Sequence, residues 1–172
     1  PYRRQRQMCI RDRAQGGYCT LTPGAVTDNS YVYNWICAGE REHGWKVDEV
    51  DYDGHNATDL AIRMNEDRNR EDFCVEVSQT CAGQNLAVKT FRELLLQDRV
   101  VIEENPLVLW CLQNAIEIQD NYGDIKLSKR HKDDTERIDP VAAAMNATAR
   151  VLVKRTAKPD LAQAIRTRNY HL

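Results

Sequence analysis

Short segments with strand character alternate along the chain with longer segments of helical periodicity, and this alternation limits the possible folds more than any other feature. Residues 46–53 alternate polar and apolar side chains, and residues 73–77 are mostly apolar; both patterns are typical of strands. The segments between and after them repeat apolar residues every three to four positions, which predicts amphipathic helices. Because strands that alternate with helices build a sheet with helices packed on it, the sequence predicts an α/β fold.

Turn and capping residues predict the boundaries of these elements. Residues 17–22 are rich in apolar side chains and stop at a Pro-Gly pair, which predicts a further strand. Residues 121–124 (NYGD) predict a hairpin, so the sheet flanked by the helices should be mixed. Helix starts are predicted at Asp28 or Ser30, at Asn56 or Thr58, near Asn85, at Asn105 followed by Pro106, and near Pro140. The buried stripe of the helix near Asn85 is predicted to contain Leu86, Val88, Phe91, Leu94 and Leu95.

The two ends of the chain differ in composition from its middle. Residues 1–13 carry five arginines against Asp12, and residues 150–172 carry six lysines and arginines against Asp160. The string RQRQMCIRDR is similar to translated sequencing-adaptor sequence and shows no apolar periodicity. We therefore expect residues 1–13 to be a non-native leader, residues 14–155 to form the folded domain and residues 156–172 to be a basic tail.

Several classes of function find no support in the sequence. No GxxxxGK[ST] motif is present to bind nucleotide phosphates, and no HExxH, EF-hand or GxSxG motif occurs. The six cysteines include no CxxC pair, which argues against a zinc site and favours reduced thiols in a cytosol. No apolar run approaches the ~20 residues that a membrane span requires, so no membrane association is expected.

Two carboxylates occupy positions where sites form in α/β folds. Asp53 stands at the end of a predicted strand, before Gly54, and Asp139 stands where the last helix should begin, before Pro140. Carboxylates that converge at such an edge can hold Mg²⁺ or Mn²⁺ through their oxygens. Spacing alone leaves the alternative open, because an Asp at a helix start is often a cap and an Asp at a strand end is often a turn residue.

Three stretches of the chain, taken together, resemble the large terminase subunit of tailed phages. Residues 21–28 (LTPGAVTD) are similar to a strand and turn that precede the second catalytic region of these proteins. Residues 50–60 (VDYDGHNATDL) resemble their YDPWNA-type motif. Residues 105–118 (NPLVLWCLQNAIEI), followed by residues 132–147 with their RIDP sequence, resemble the closing block. The order and spacing agree across residues 17–155.

The resemblance implies a ribonuclease H-like nuclease domain that cuts double-stranded DNA with two divalent metal ions, Mg²⁺ or Mn²⁺. Carried onto this chain, Asp53 and Asp139 are the second and third catalytic carboxylates and metal ligands, whereas Asp51 and Asp59 are neighbouring competitors for the role of Asp53. The first carboxylate of the family lies on an earlier strand in a DLS-like motif that this sequence does not show. We therefore expect a domain truncated at its N-terminal strand, without the ATPase domain, and with weak activity at most.

The same resemblance implies the partners and the setting. Double-stranded DNA, the small terminase subunit and the portal protein of the procapsid are the expected partners, and the bacterial host cytoplasm during phage assembly is the expected location. A basic group on and after the hairpin could contact phosphates, or could be a solvated tip offset by nearby acidic residues. Its members are Lys126, Lys129, Arg130, Lys132 and Arg137.

Two other functions remain as alternatives. The domain could be another ribonuclease H-like nuclease, such as a resolvase or an integrase. It could instead be a non-catalytic module of packaging assembly that docks onto the portal or the small terminase subunit. Cleavage of supercoiled plasmid in Mn²⁺ separates the two enzymes from the module.

Overall fold

The computed structural model describes residues 11–24, 28–55, 57–131 and 136–156 of the 172-residue chain. Residues 11–15 are helical. The remaining elements of the described part are α1 (Asn29–His43), β1 (Val50–Tyr52), α2 (Thr58–Arg68), β2 (Cys74–Glu76), α3 (Cys81–Leu96), α4 (Pro106–Asn114), β3 (Ala115–Gln119), β4 (Ile125–Lys129) and α5 (Asp139–Thr156). Within the same residues, no helix combines the length and the apolar character needed to cross a membrane.

Helix α1 begins and ends at residues suited to those positions. The Asp28 side chain caps the start by accepting a hydrogen bond from Ser30 N at 2.8 Å, which confirms Asp28 as the cap. At the other end Gly44 takes the left-handed conformation, with φ of 67°, and turns the chain back. Trp45 then packs over Gly39, where a Cβ atom would collide with the indole ring.

The unit β1–α2–β2 forms a parallel pair of strands covered by one helix. Val50, Asp51 and Tyr52 pair with Cys74, Val75 and Glu76. Met64 of α2 is buried with Phe73 and Cys74 in one core cluster. The Asn65 side chain of α2 accepts a hydrogen bond from Cys74 N at 2.8 Å, which fixes the end of the helix to the start of β2.

Helix α3 begins earlier than the sequence predicted and buries a face that overlaps the predicted stripe only in part. The Thr80 hydroxyl caps the helix by accepting from Gly83 N at 3.1 Å. The buried face contains Gln84, Ala87 and Val88, whereas Leu86 is 61% exposed and Leu96 is 80% exposed. The predicted stripe was therefore wrong at Leu86 and at Leu95, which is also exposed, because the packing of α3 against α5 and β4 decides which face is covered.

Helix α4 leads directly into the hairpin of β3 and β4. Asn105 caps α4 through hydrogen bonds from Leu107 N at 2.9 Å and Val108 N at 3.4 Å, with Pro106 at the start of the helix, as predicted. Ala115 pairs with Lys129 and Gln119 with Ile125 in the antiparallel hairpin, which was also predicted.

Helix α5 packs against α3, α4 and β1 and joins the two halves of the fold. Its Met145 is 1% exposed and lies in a second core cluster with Val88 and Ile125. The helix begins at Asp139, next to the predicted start at Pro140.

Two predictions about strands were wrong. Residues 17–22 form a turn and irregular structure, because Gly17 ends the preceding helix with φ of 77° and Tyr18 N bonds back to Arg13 O at 2.9 Å. A single mixed sheet does not form among the described residues. The parallel pair β1–β2 and the antiparallel pair β3–β4 are separate two-stranded sheets, linked through α5 and α3 rather than by strand hydrogen bonds.

The predicted leader and tail fall largely outside the described residues. Arg13, within the predicted leader, lies over the Trp110 ring of α4 with its guanidinium carbon 4.3 Å from the ring centroid. The proposed boundaries at residues 13 and 155 stay predictions.

Candidate functional site

The carboxyl ends of the two parallel strands form an open depression of about 570 Å³, lined by residues 53–55 and 76–79. Asp53 follows the last residue of β1, and Glu76 is the last residue of β2. Val77 N donates to Tyr52 O at 2.8 Å, so the pairing of the two strands continues up to this edge. Side chains at such strand ends are well placed to meet a ligand.

The Asp53 side chain is exposed in this depression and bonds to the backbone of the turn that follows it. Its Oδ1 accepts a hydrogen bond from His55 N at 3.2 Å. Glycine at position 54 lets the Glu76 side chain come close, because a Cβ atom there would collide with the Glu76 carboxyl group. The carboxylate of Asp53 therefore faces solvent beside a second acidic side chain.

Asp139 lies at the start of α5, and two ion pairs show how that helix runs relative to β1. Lys154 Nζ contacts Asp48 Oδ2 at 2.7 Å, and Arg150 Nε contacts Glu49 Oε1 at 2.7 Å. The helix and the strand therefore run in opposite directions. From Arg150 back to Asp139 the helix covers ~16 Å, and from Glu49 on to Asp53 the strand covers ~13 Å. Asp53 and Asp139 thus project to the same end of the β1–α5 pair. If the two residues share a metal site, we expect their carboxyl groups to lie ~4–8 Å apart.

The donor set for a metal ion is incomplete in the described part of the chain. Nowhere among those residues do three or more His, Cys, Asp or Glu side chains lie together in a way that could hold a metal ion. Asp53 and Asp139 offer oxygen ligands suited to Mg²⁺ or Mn²⁺, but two carboxylates do not make a two-metal site. Asp59 is exposed in the first turn of α2.

Asp51, the nearest competitor of Asp53, faces α5 and not the depression. Its side chain is 14% exposed, and its Oδ1 lies 3.9 Å from Arg150 Nε without a hydrogen-bond partner. Burial, together with the neighbouring Glu49 carboxyl, raises the pKa of Asp51 from 3.8 to about 7. The hydrogen bond from Arg150 lowers the pKa of Glu49 from 4.5 to about 2. Glu49 is thus the charged partner of Arg150.

Sequence reasoning missed the acidic strand and basic helix that face each other here. Glu49 and Arg150 are 101 residues apart in sequence. The one available signal was the acidic alternation of residues 49, 51 and 53, which places three carboxylates on one side of a strand. The positive charges of Arg150 and Lys154, which are one helical turn apart, complement this acidic side of the strand.

The described members of the predicted basic group lie at different places along the hairpin and after it. Lys126 Nζ donates to Gln79 O at 2.9 Å, at the rim of the Asp53 depression. Arg130 lies beyond the other end of β4 and donates to Gln113 O at 3.0 Å. Lys129 and Arg137 are half-buried, and Lys132 lies outside the described residues. Of the four members that the structure describes, Lys126 is the one that lies at the depression.

Comparison with known proteins agrees with this architecture. The profile of the family described as "Terminase large subunit, endonuclease domain" matches residues 4–155. The crystal structure of the HK97 bacteriophage large terminase has a similar fold, with a TM-score of 0.70 and 24% sequence identity. The match covers 85% of this chain and 29% of that terminase, so the chain spans less than a third of the length of the matched protein. No curated protein sequence matches the chain.

Asp53 and Asp139 thus stand at one end of an α/β domain that the family profile covers almost from end to end, and the chain belongs to the endonuclease domain family of terminase large subunits.

Proposed function

We propose that this domain is a divalent-metal-dependent endonuclease that cuts concatemeric double-stranded DNA during phage genome packaging, on a ribonuclease H-like fold. One observation carries the proposal. In a chain of the terminase nuclease family, Asp53 at the end of β1 and Asp139 at the start of α5 project to the same end of the β1–α5 pair.

Asp53 and Asp139 would supply two of the ligands for Mg²⁺ or Mn²⁺. Bound metal in such sites activates a water molecule and stabilises the leaving oxygen of a phosphodiester. The described residues hold no complete set of ligands, so a further ligand would come from outside them. Within this chain, the exposed carboxylate of Asp53 is oriented by the backbone N–H of His55.

We further propose that the basic residues along the hairpin contact the DNA backbone, with Lys126 nearest the strand ends. Its ammonium group donates to Gln79 O and has further N–H donors for a phosphate. The other proposed contacts are Lys129, Arg130, Lys132 and Arg137. Phosphate contacts of this kind fix the register of DNA without reading its sequence.

The partners and location follow from the same proposal. The terminase small subunit and the portal protein of the procapsid would be its protein partners, in the cytoplasm of the bacterial host. One observation favours a second function. Because the described residues hold no group of three metal-binding side chains, the domain could serve as a non-catalytic module that docks onto these partners.

Plasmid nicking separates the two functions. In a longer form of the protein, such as a full-length terminase large subunit that carries this domain, supercoiled plasmid should be cut in Mn²⁺. Asp53→Asn and Asp139→Asn each remove a charged ligand while keeping the side-chain shape, so cleavage should fall by at least ~100-fold. Circular dichroism should show that both variants stay folded.

Asp51→Asn is the matched control, because Asp51 faces α5 and not the depression. It should keep most of the activity. Equal losses from all three variants would show that the site is misassigned, and inertness of the unaltered longer form would favour the assembly module.

A further inference from the structure

The loop between β2 and α3 is held by a buried network of side-chain amides. Gln84 of α3 is 5% exposed and Asn146 of α5 is 6% exposed. Both contact the side chain of Gln79, which lines the depression that holds Asp53. Buried polar groups of this kind are kept only where their hydrogen bonds are made.

The Gln79 side-chain amide makes hydrogen bonds in three directions and uses both of its N–H donors. Its Oε1 accepts from Gln84 Nε2 at 2.7 Å. Its Nε2 donates to Val77 O at 2.9 Å and to Asn146 Oδ1 at 3.1 Å. Its backbone oxygen accepts from Lys126 Nζ of β4 at 2.9 Å. One residue thus connects the strand ends, both helices and the hairpin.

These contacts join the two parts of the fold that carry the candidate carboxylates. Val77 is the residue whose N–H bonds to Tyr52 O, next to Asp53. Asn146 lies two helical turns after Asp139 in α5. The Arg150–Glu49 ion pair fixes α5 at the opposite end of β1, so the Gln79–Asn146 contact is the side-chain link nearer to the carboxylates.

We propose that Gln79, through Asn146, is a positioning residue that sets the placement of Asp139 relative to Asp53. The importance of this role for catalysis rests on the proposed function. The effect of Gln79 on the position of α5 relative to the strand ends does not. Two carboxylates that share a metal site must be held within ~0.5 Å of their working geometry, and side chains locked by hydrogen bonds provide that. Gln79 acts through its hydrogen bonds to Val77 O and Asn146 and not by contact with either carboxylate.

Amide hydrogen exchange tests the geometry without any metal. Gln79→Met keeps the length of the side chain and removes its hydrogen bonds. Exchange should accelerate at least ~10-fold at Val77 and in the first two turns of α5, because both lose the same link. The amide of Val50, which bonds to Phe73 O at the other end of the strand pair, should change little. Asn146→Leu should give the same pattern, and combining both changes should add nothing further.

A purely structural role predicts a different result. Met64→Val weakens the other core cluster and serves as the matched control, with exchange accelerated at Val50 as much as at Val77. If Gln79→Met gives that uniform pattern, or leaves Val77 and the start of α5 unchanged, the positioning role is wrong.

Paramagnetic broadening by Mn²⁺ tests whether the Gln79–Asn146 contact affects the proposed metal site. In the unaltered protein, added Mn²⁺ should broaden the amide signals of Gly54 and Val141 at the same concentration. In Gln79→Met, the broadening at Gly54 should persist while that at Val141 falls severalfold. Unchanged broadening at both residues in the variant would overturn the inference. Absence of broadening at both residues in the unaltered protein would count against the proposed metal site, and hydrogen exchange would then decide the positioning role alone.

Discussion

Glu49, Asp51 and Asp53 alternate along one strand, and their side chains meet three different surroundings. Glu49 is paired with Arg150 and Lys154, Asp51 is enclosed without a hydrogen bond for its Oδ1, and Asp53 is exposed past the strand end. The difference arises because α5 covers the first two positions and Asp53 lies beyond the last residue of β1. All three residues carry a carboxyl group, so the packing around each residue, and not its type, causes the difference.

Asp51→Asn should stabilise the protein at neutral and alkaline pH. The folded state holds the Asp51 proton more tightly than the unfolded chain, so the unaltered protein loses stability as pH rises from 3.8 to about 7. The variant does not titrate there, and its gain at pH 8 should be on the order of 1 kcal/mol. Urea unfolding at pH 4 and pH 8 measures this. A gain that is as large at pH 4 as at pH 8 would contradict the assignment.

Gly39→Ala should destabilise α1 and its return segment. A methyl group at position 39 would occupy the place of the Trp45 ring, which lies against Trp35 with ring centroids 5.1 Å apart. Moving the ring should cost about 1–3 kcal/mol, although Ala is the better helix former. Thermal unfolding gives the loss, and the near-ultraviolet circular dichroism of the tryptophan pair should weaken. A more stable variant with an unchanged spectrum would show that Trp45 does not pack on Gly39.

At the scale of elements, α5 is held beside β1 by charge at one end and to the loop after β2 by side-chain amides nearer the other end. Arg150 binds Glu49 through two hydrogen bonds of 2.7 and 3.2 Å, and Lys154 adds a contact to the same carboxylate at 3.1 Å. The Glu49 side chain is 9% exposed, so solvent screens this pair less than a surface pair. Helix and strand are therefore held in one register by side chains far apart in sequence.

Glu49→Gln should loosen this attachment. Removing one partner leaves the Arg150 guanidinium half-buried and without its charge partner, at a cost of about 1–2 kcal/mol after allowance for the exposure of Arg150. The pKa of Glu49 is lowered to about 2, so its contribution is present above pH 4.5 and is lost as pH falls towards 2. Urea unfolding at pH 7 and at pH 2.5 measures both effects. Glu42→Gln is the control, because Glu42 and Arg41 form an exposed pair, and its effect should be near zero.

The elements that the sequence predicted well are those whose boundaries are set by residues close to them in sequence. Asp28 and Asn105 cap their helices through neighbouring backbone N–H groups, and the hairpin turn at residues 121–124 depends on adjacent residues. The exposed Leu86 and the irregular residues 17–22 were missed for the opposite reason. The exposure of Leu86 and the conformation of residues 17–22 depend on which elements pack together. The periodicity of one segment does not reveal that packing.

For the molecule as a whole, Asp53 and Asp139 came from a family resemblance and from their positions at element ends, and their role stays a prediction. The Gln79–Asn146 link could not have been predicted, since 67 residues separate its members in sequence. Such contacts arise only when α5 closes over both sheets.

Residues 14–172 alone should cut plasmid poorly. The described residues offer two projecting carboxylates and no group of three metal-binding side chains, whereas two Mg²⁺ ions repel each other and need more anionic ligands than that. Plasmid cleavage in Mn²⁺, compared at equal concentration with the longer form, measures the difference. A matching rate would show that a carboxylate outside this pair completes the site, and Asp28 would be the first to replace.

The position of α5 in the sequence also determines when the domain can complete its folding during synthesis. This helix is synthesised after every strand and helix that it covers, and it contributes Met145 to the second core cluster while packing against β1. Until it leaves the ribosome, the strand pair and the hairpin expose apolar faces that have no cover. Closure by contacts across about a hundred residues is slow compared with helix formation. The nascent domain therefore passes through an interval in which chaperones have the most surface to bind, and for the described elements that interval ends once α5 has been synthesised.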